Sequence, residues 1–236
     1  MNLDKKGLIV SEISPLIYAR VAGLIGIIIL TFGSFTIFVN SKLIVYGDSV
    51  TTANNLMGSE LLFRMGFVSS LIMETVFILY ALILYKLLKP VNSNYALLML
   101  IFVLVPVPLF MLNQLNLFAA FLSAADQMLD QMMFYLKLQK HGGAIVAIFF
   151  GLWLFPLGLL VFKSGFLPKV LGVLLMIGCF GYLILFLQVF LFPGLEKTLW
   201  TNPFLVVTHI SELFLMLWLL IKGVDVQQWE KQAIGS

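Results

Sequence analysis

The chain has 236 residues, of which 61% are hydrophobic and only 11% are charged, and its mean hydropathy is +1.08. This composition excludes a water-soluble globular domain, which could not cover so much apolar surface, and it indicates an integral membrane protein. The formal charge of +3 is small and scattered, and no run of Lys and Arg forms a basic patch, so no nucleic-acid partner is predicted.

The apolar runs are continuous and about 20 residues long, which is the length that an α-helix needs to cross a bilayer and is unlike the alternating strands of a membrane barrel. We therefore predict one domain over residues 1–236 with an all-α fold: a polytopic membrane helical bundle of six transmembrane helices plus one amphipathic external helix. The predicted spans are residues 21–39, 61–86, 95–117, 143–162, 170–192 and 204–221. The lone Cys179 lies in a span, so no intramolecular disulfide is predicted.

Turn and helix-breaking residues mark the connections between the spans. Residues 51–57, in the first external loop, are predicted to form a brief helix. Pro90 ends the second span. Pro106 and Pro108 are expected to kink the third span near mid-depth, and a kink of this kind favours a widened bundle interior.

Residues 118–140 have a different pattern from the spans. On a helix, their charged side chains fall within an arc of about 80°, opposite an apolar face. These side chains are Asp126, Asp130, Lys137 and Lys140. The pattern is typical of an amphipathic helix that lies on the membrane surface or over the mouth of a bundle.

The distribution of basic residues predicts the orientation. With the N-terminus in the cytoplasm, nine basic residues fall on the inner side and five on the outer side. The inner residues are Lys5, Lys6, Arg20, Lys86, Lys89, Lys163, Lys169, Lys222 and Lys231, and the outer ones are Lys42, Arg64, Lys137, Lys140 and Lys197. The excess of positive charge predicts that both termini are cytoplasmic.

Charged side chains at two places in the spans point to a functional site, because a charge inside a membrane is costly unless it faces a bundle interior or a watery cavity. Glu60, Arg64 and Glu74 lie within an arc of about 80° on one helix. His209 and Glu212, three residues apart in the sixth span, share a helical face.

The predicted topology places most strongly polar side chains of the bundle in its outer half. We predict that they converge on a polar, ligand-binding pocket open to the external side. The candidate residues are Glu60, Arg64, Glu74, Asn113, Gln114, His141, Gln188, His209 and Glu212.

Each candidate also has a structural interpretation. Glu60 and Arg64 are spaced for an ion pair on a helix surface. His141 fits a helix start in the headgroup zone. Protonated Glu74 and Glu212 would hold helices together through hydrogen bonds, and Asn113 and Gln114 fit the same role.

Sequence motifs for metal binding or catalysis are weak in this chain. His141, His209 and Glu212 are ligand types suited to zinc or iron, but their spacing is loose, so neither a metal nor a cofactor is predicted. The chain has no GxSxG motif and no phosphate loop, and no catalytic residue is assigned.

Five phrases carry a resemblance to a known family. They are ARVAGLIG (19–26), SKLIVYGDS (41–49), SELLFRMGFVSSLI (59–72), FKSGFLPKVLGVLL (162–175) and SELFLMLWLLIKGV (211–224). They resemble a bacterial family of small polytopic membrane proteins known as domain of unknown function 4386. The resemblance implies a six-helix protein of the bacterial cytoplasmic (inner) membrane, and it implies no activity. Glu60, Arg64 and Glu212 lie within these phrases, whereas Glu74 and His209 lie outside them.

The favoured function is binding or transport of a small amphipathic or lipid-like ligand in the external pocket. In this hypothesis Arg64 meets an anionic group and Glu60 orients Arg64, while Glu212 and His209 form the pocket floor. Two alternatives stay open: a non-catalytic membrane partner or assembly subunit, and an intramembrane enzyme that uses Glu212 and His209 as acid and base, with or without a metal. Membrane lipid is the expected partner, and the sequence identifies no protein partner.

Overall fold

The computed structural model describes residues 14–192 and 202–234, so Lys5, Lys6 and Lys197, which enter the charge count, lie outside the described residues. Within those two ranges the chain forms ten helices and no strand. The helices are α1 (Pro15–Leu43), α2 (Ser49–Gly58), α3 (Glu60–Leu88), α4 (Ser93–Leu104), α5 (Pro106–Ala125), α6 (Leu129–Leu152), α7 (Leu154–Ser164), α8 (Lys169–Leu191), α9 (Pro203–Ile221) and α10 (Val226–Ile234).

Six stretches are long and apolar enough to cross a membrane, which confirms the predicted all-α bundle of six membrane-length helices. They are α1, α3, α4 with α5, α6 with α7, α8, and α9. Five of the six spans are longer than the apolar runs alone predicted, and the fourth grows most, to residues 129–164, while the fifth keeps its predicted length of 23 residues. The brief helix predicted after the first span is also confirmed, as α2.

The third and fourth spans are each interrupted once. A single residue, Val105, separates α4 from α5, and Trp153 separates α6 from α7. Pro106 directly follows the first break, and Pro156 lies three residues beyond the second. Proline lacks an N–H group and its ring clashes with the carbonyl group four residues earlier, so the helical hydrogen-bond ladder is interrupted at both places. The third span is therefore interrupted where the sequence predicted a kink.

Residues 118–140 do not form the separate surface helix that their charge pattern predicted. Instead α5 ends and α6 begins within this range, and Gln127, with a φ of 60°, lies in the turn between them. Phe121 and Met132 are buried in a hydrophobic cluster that also contains residues of α1, α2 and α3. The apolar face of this segment therefore packs on the bundle, and burial against other helices takes the place of burial in a membrane surface.

The helix α2, between the first two spans, begins with a side-chain cap. Asp48 Oδ1 accepts a hydrogen bond from the Thr51 N–H at 2.9 Å, and Oδ2 accepts one from the Thr51 hydroxyl at 2.6 Å. These hydrogen bonds, the hydroxyl one first, lower the pKa of Asp48 because they favour the charged carboxylate.

Small residues bring α1 against α9 near the N-terminal end of α1. A Cβ atom built on Gly23 would lie against the Leu220 backbone nitrogen and 2.7 Å from the Leu220 Cα. One turn further, a Cβ on Gly26 would lie 2.5 Å from the Met216 Cγ. Only glycine permits so close an approach of the two helices.

Beyond this contact, α1 and α9 each pack on a different neighbour. The Ser69 hydroxyl of α3 donates to the Phe32 carbonyl oxygen of α1 at 3.0 Å. The Thr208 hydroxyl of α9 donates to the Gly178 carbonyl oxygen of α8 at 2.6 Å. Beyond Gly26, α1 thus packs along α3, and α9 packs along α8. A space therefore opens between α1 and α9.

Candidate functional site

A cavity of about 490 Å³ occupies the space between α1 and α9 and is also lined by α3, α5, α6 and α8. This volume falls within the range of about 300–1,000 Å³ that is usual for small-molecule sites. Most of its wall is apolar, and the aromatic part consists of Phe77, Phe110, Phe150, Trp153 and Tyr182. The other polar side chains in the wall are Ser34, Glu74, His209 and Glu212. The structure thus brings three of the nine predicted candidates, Glu74, His209 and Glu212, to one place.

The two carboxyl groups lie at the same depth. Glu74 is the middle residue of the 29-residue helix α3, and Glu212 is the middle residue of the 19-residue helix α9. Because both helices cross the bundle, the two side chains reach the cavity near the mid-length of their helices. The outer-half location stays a prediction.

Glu74 is almost fully enclosed, with 2% of its surface exposed. Its Oε2 atom has no hydrogen-bond partner among the described residues. Burial of a carboxyl oxygen without a partner costs free energy, so such an atom needs a specific explanation. Its place in the wall of a cavity supplies one, because a bound molecule or a proton satisfies the group.

Glu212 and His209 are neighbours on α9 without a hydrogen bond between them. His209 Nδ1 lies 4.0 Å from Glu212 Oε2, which is beyond hydrogen-bond distance. The His209 side chain is 62% exposed at the rim of the cavity, whereas that of Glu212 is 19% exposed. The His209 ring stands edge-on to Tyr182, with 6.1 Å between the ring centres.

Trp153 and Tyr182 are site residues that sequence reasoning missed, because aromatic residues in a span resemble packing residues. Trp153 is 1% exposed, and its ring stands edge-on to Phe77 with 5.2 Å between ring centres. Its indole N–H has no hydrogen-bond partner among the described residues. Pro156 was the available signal, since it predicts a helix break next to Trp153.

Glu60 and Arg64 lie away from this cavity. Both side chains are about half exposed at the start of α3, and Arg64 Nε donates to Glu60 Oε1 at 2.7 Å. The Arg64 guanidinium also lies over the Phe121 ring, 5.2 Å from its centre. Arg64 lines a second, smaller groove of about 370 Å³ between α1 and α3.

The other four candidates also lie outside the cavity wall. Asn113 Nδ2 donates to the Gln139 carbonyl oxygen at 2.8 Å and so joins α5 to α6. His141 is exposed, and its Nδ1 lies 2.7 Å from a carbonyl oxygen of its own helix. Gln114 and Gln188 are buried in α5 and α8.

The described ranges contain no group of three His, Cys, Asp or Glu side chains that could hold a metal ion. His141, His209 and Glu212 therefore do not form the ligand set that their residue types suggested. The cavity wall offers two carboxyl groups, the His209 imidazole, the Ser34 hydroxyl, the Trp153 indole and the Tyr182 phenol in apolar, aromatic surroundings.

The similarity of the chain to known proteins identifies its family. The family model described as "Domain of unknown function (DUF4386)" matches residues 21–223. The chain belongs to the DUF4386 family. This confirms the resemblance found in the sequence, and the DUF4386 match includes both Glu74 and Glu212.

One relative of this DUF4386 chain is a protein of Archaeoglobus fulgidus that is named only as an uncharacterized protein. It is 35% identical over 143 residues, which are 61% of this chain and 74% of the relative. Because this relative is archaeal, similarity to the chain is not confined to bacteria. No solved structure matches the chain significantly.

Proposed function

We propose that this DUF4386 protein is a membrane-embedded binding protein that holds a small amphipathic molecule in the cavity between α1 and α9. One observation carries the proposal: a cavity of about 490 Å³ with apolar walls has two carboxyl groups from different helices at one depth. The apolar walls suit a hydrocarbon chain and the carboxyl groups suit a polar head. The head meets Glu74 and Glu212, whereas Arg64 is occupied by Glu60.

The rim of the cavity supports a route of entry. Its exposed lining residues on α1 are Leu30, Ser34 and Ile37, and the one on α9 is His209. The three α1 residues lie within an apolar span, so the rim faces the hydrocarbon zone between two helices. In this proposal an amphipathic molecule passes from the lipid between α1 and α9, which differs from the externally open pocket that the sequence predicted.

Closing the rim tests this function. We expect Ser34→Phe to abolish saturable binding of decanol, a neutral single-chain amphiphile, because the larger ring enters the mouth of the cavity. Thr31→Phe is the matched control: Thr31 is an exposed residue of the same helix that does not line the cavity. Binding is measured by calorimetric titration of the purified chain in maltoside micelles. Equal binding by the wild type and Ser34→Phe would contradict the proposal.

We also propose that the protein is a multi-pass protein of the cytoplasmic membrane with both termini in the cytoplasm. The connections after α3 and α7 and the end of α9 lie on one side of the bundle and carry Lys86, Lys89, Lys163, Lys169 and Lys222. Positive charge of this kind marks cytoplasmic loops.

A reporter fused after the last residue tests this orientation. Green fluorescent protein at that position is expected to fluoresce in a bacterial host, and alkaline phosphatase at the same position is expected to be inactive, because the latter matures only outside the cytoplasm. An active phosphatase fusion with a dark fluorescent fusion would reverse the proposed orientation.

A further inference from the structure

The charges around the cavity are unbalanced. Glu74 and Glu212 line it, and its described lining residues include no lysine and no arginine. His209 is the one basic side chain in that set, and it is largely exposed at the rim, 4.0 Å from Glu212 and on the same helix. A buried carboxylate in an apolar environment requires a positive partner or a proton. Among the described residues, no basic side chain forms an ion pair with Glu74.

A large part of the cavity wall is aromatic. Five aromatic side chains line the cavity, and they come from α3, α5, α6 and α8 and the break at Trp153. Aromatic faces attract cations through the ring quadrupole, and cages of aromatic rings are a general means of binding ammonium groups.

We propose that the amphiphile bound in this cavity carries a cationic ammonium head, which lies between Glu74 and Glu212 against the aromatic wall. The inference rests on the proposed function, because it names the class of ligand for the same cavity. Two carboxylates without a lysine or arginine repel an anionic head, so the site selects by charge as well as by shape. The unpartnered Glu74 oxygen gains a charged partner when the site is filled.

Three probes with the same alkyl chain test the inference on the full chain in maltoside micelles. They are decyltrimethylammonium, decanol and decyl sulfate, and the signal from Ser34→Phe is subtracted to remove partition into the micelle. We expect decyltrimethylammonium to bind at least about tenfold more tightly than decanol, because a buried charge pair is worth more than about 1.4 kcal/mol, which is a factor of ten. We expect no saturable binding of decyl sulfate.

Substitutions of Glu74 and Glu212 test whether these residues cause the preference for the ammonium probe. Glu74→Gln and Glu212→Gln keep the side-chain shape, and each is expected to lower the preference for decyltrimethylammonium over decanol, measured as the ratio of their Kd values, about tenfold. Glu60→Gln is the matched control, since Glu60 is an exposed carboxylate of the same helix as Glu74 and lies outside the cavity. It should keep the full preference.

The outcomes separate this inference from the proposed function. If decanol binds saturably to the wild type but as tightly as decyltrimethylammonium, the carboxyl groups hold protons and the ammonium site is refuted, while amphiphile binding stands. The same conclusion follows if the preference survives in the Glu74→Gln, Glu212→Gln double variant. If none of the three probes binds above the Ser34→Phe level, the proposed function itself fails. The comparison of decyltrimethylammonium with decanol on the wild type uses neither carboxyl variant, so it decides the question even if Glu74→Gln or Glu212→Gln does not fold.

Discussion

Replacing Gly23 with alanine is expected to lower the free energy of unfolding by about 1–3 kcal/mol, which is the usual cost of overpacking. The added methyl group would meet the Leu220 backbone, with its Cα only 2.7 Å away, and a backbone cannot turn aside as a flexible side chain can. The two helices must then separate at this contact. Titration with sodium dodecyl sulfate in mixed micelles measures the change.

Gly143→Ala is the matched control for this prediction. Gly143 also lies within a membrane-spanning helix, but a Cβ atom placed on it meets no atom within 4 Å. Alanine there is expected to be neutral or to stabilise by about 0.4–1 kcal/mol, because it restricts the unfolded chain. If both substitutions destabilise the protein equally, the contact between Gly23 and Leu220 does not hold the bundle together.

Replacing Trp153 with alanine is expected to cost about 3–5 kcal/mol of the free energy of unfolding, which is the range for deletion of a large buried aromatic side chain. Trp153 is 1% exposed and contacts both Phe77 and Tyr80 through edge-on ring packing. It also lies at the break between α6 and α7.

Two further variants separate packing from residue type. Trp218 of α9 is 38% exposed, and Trp218→Ala is expected to change stability by less than about 1 kcal/mol because a partly exposed side chain leaves no enclosed hole. Trp153→Phe keeps most of the ring and removes an N–H that has no partner in the described residues, so most of the stability should remain. If Trp218→Ala lowers the free energy of unfolding as much as Trp153→Ala does, packing around Phe77 is not what makes Trp153 important for stability.

The six spans could be predicted because each is a continuous apolar run, and hydropathy reports such runs directly. The arrangement of residues 118–140 could not be predicted, because the amphipathic pattern in this segment does not identify what covers its apolar face. Either a membrane surface or neighbouring helices would bury Phe121 and Met132. Only the tertiary structure shows that neighbouring helices bury them. Hydropathy likewise underestimated the fourth span, since α6 begins in polar sequence before the apolar run.

The candidate site could be predicted only for residues whose burial in a membrane span costs free energy. Glu74 and Glu212 stood out because a carboxyl group in a span is expensive, and both line the cavity. The same argument selected Glu60 and Arg64, whose location at a helix start allows them to pair with each other in a half-exposed position. Trp153 and Tyr182 could not be found in this way, because an aromatic side chain costs nothing in an apolar span.

Because Glu74 is the middle residue of α3, the proposed binding of a cationic molecule would also depend on voltage. If the cavity lies at mid-membrane, a positive charge that enters it from either face crosses about half of the transmembrane potential, which changes its energy by about 1 kcal/mol for each 100 mV. If the proposal holds, a cell that energises or depolarises its membrane would alter the occupancy of the cavity without any change in the concentration of the molecule that fills it.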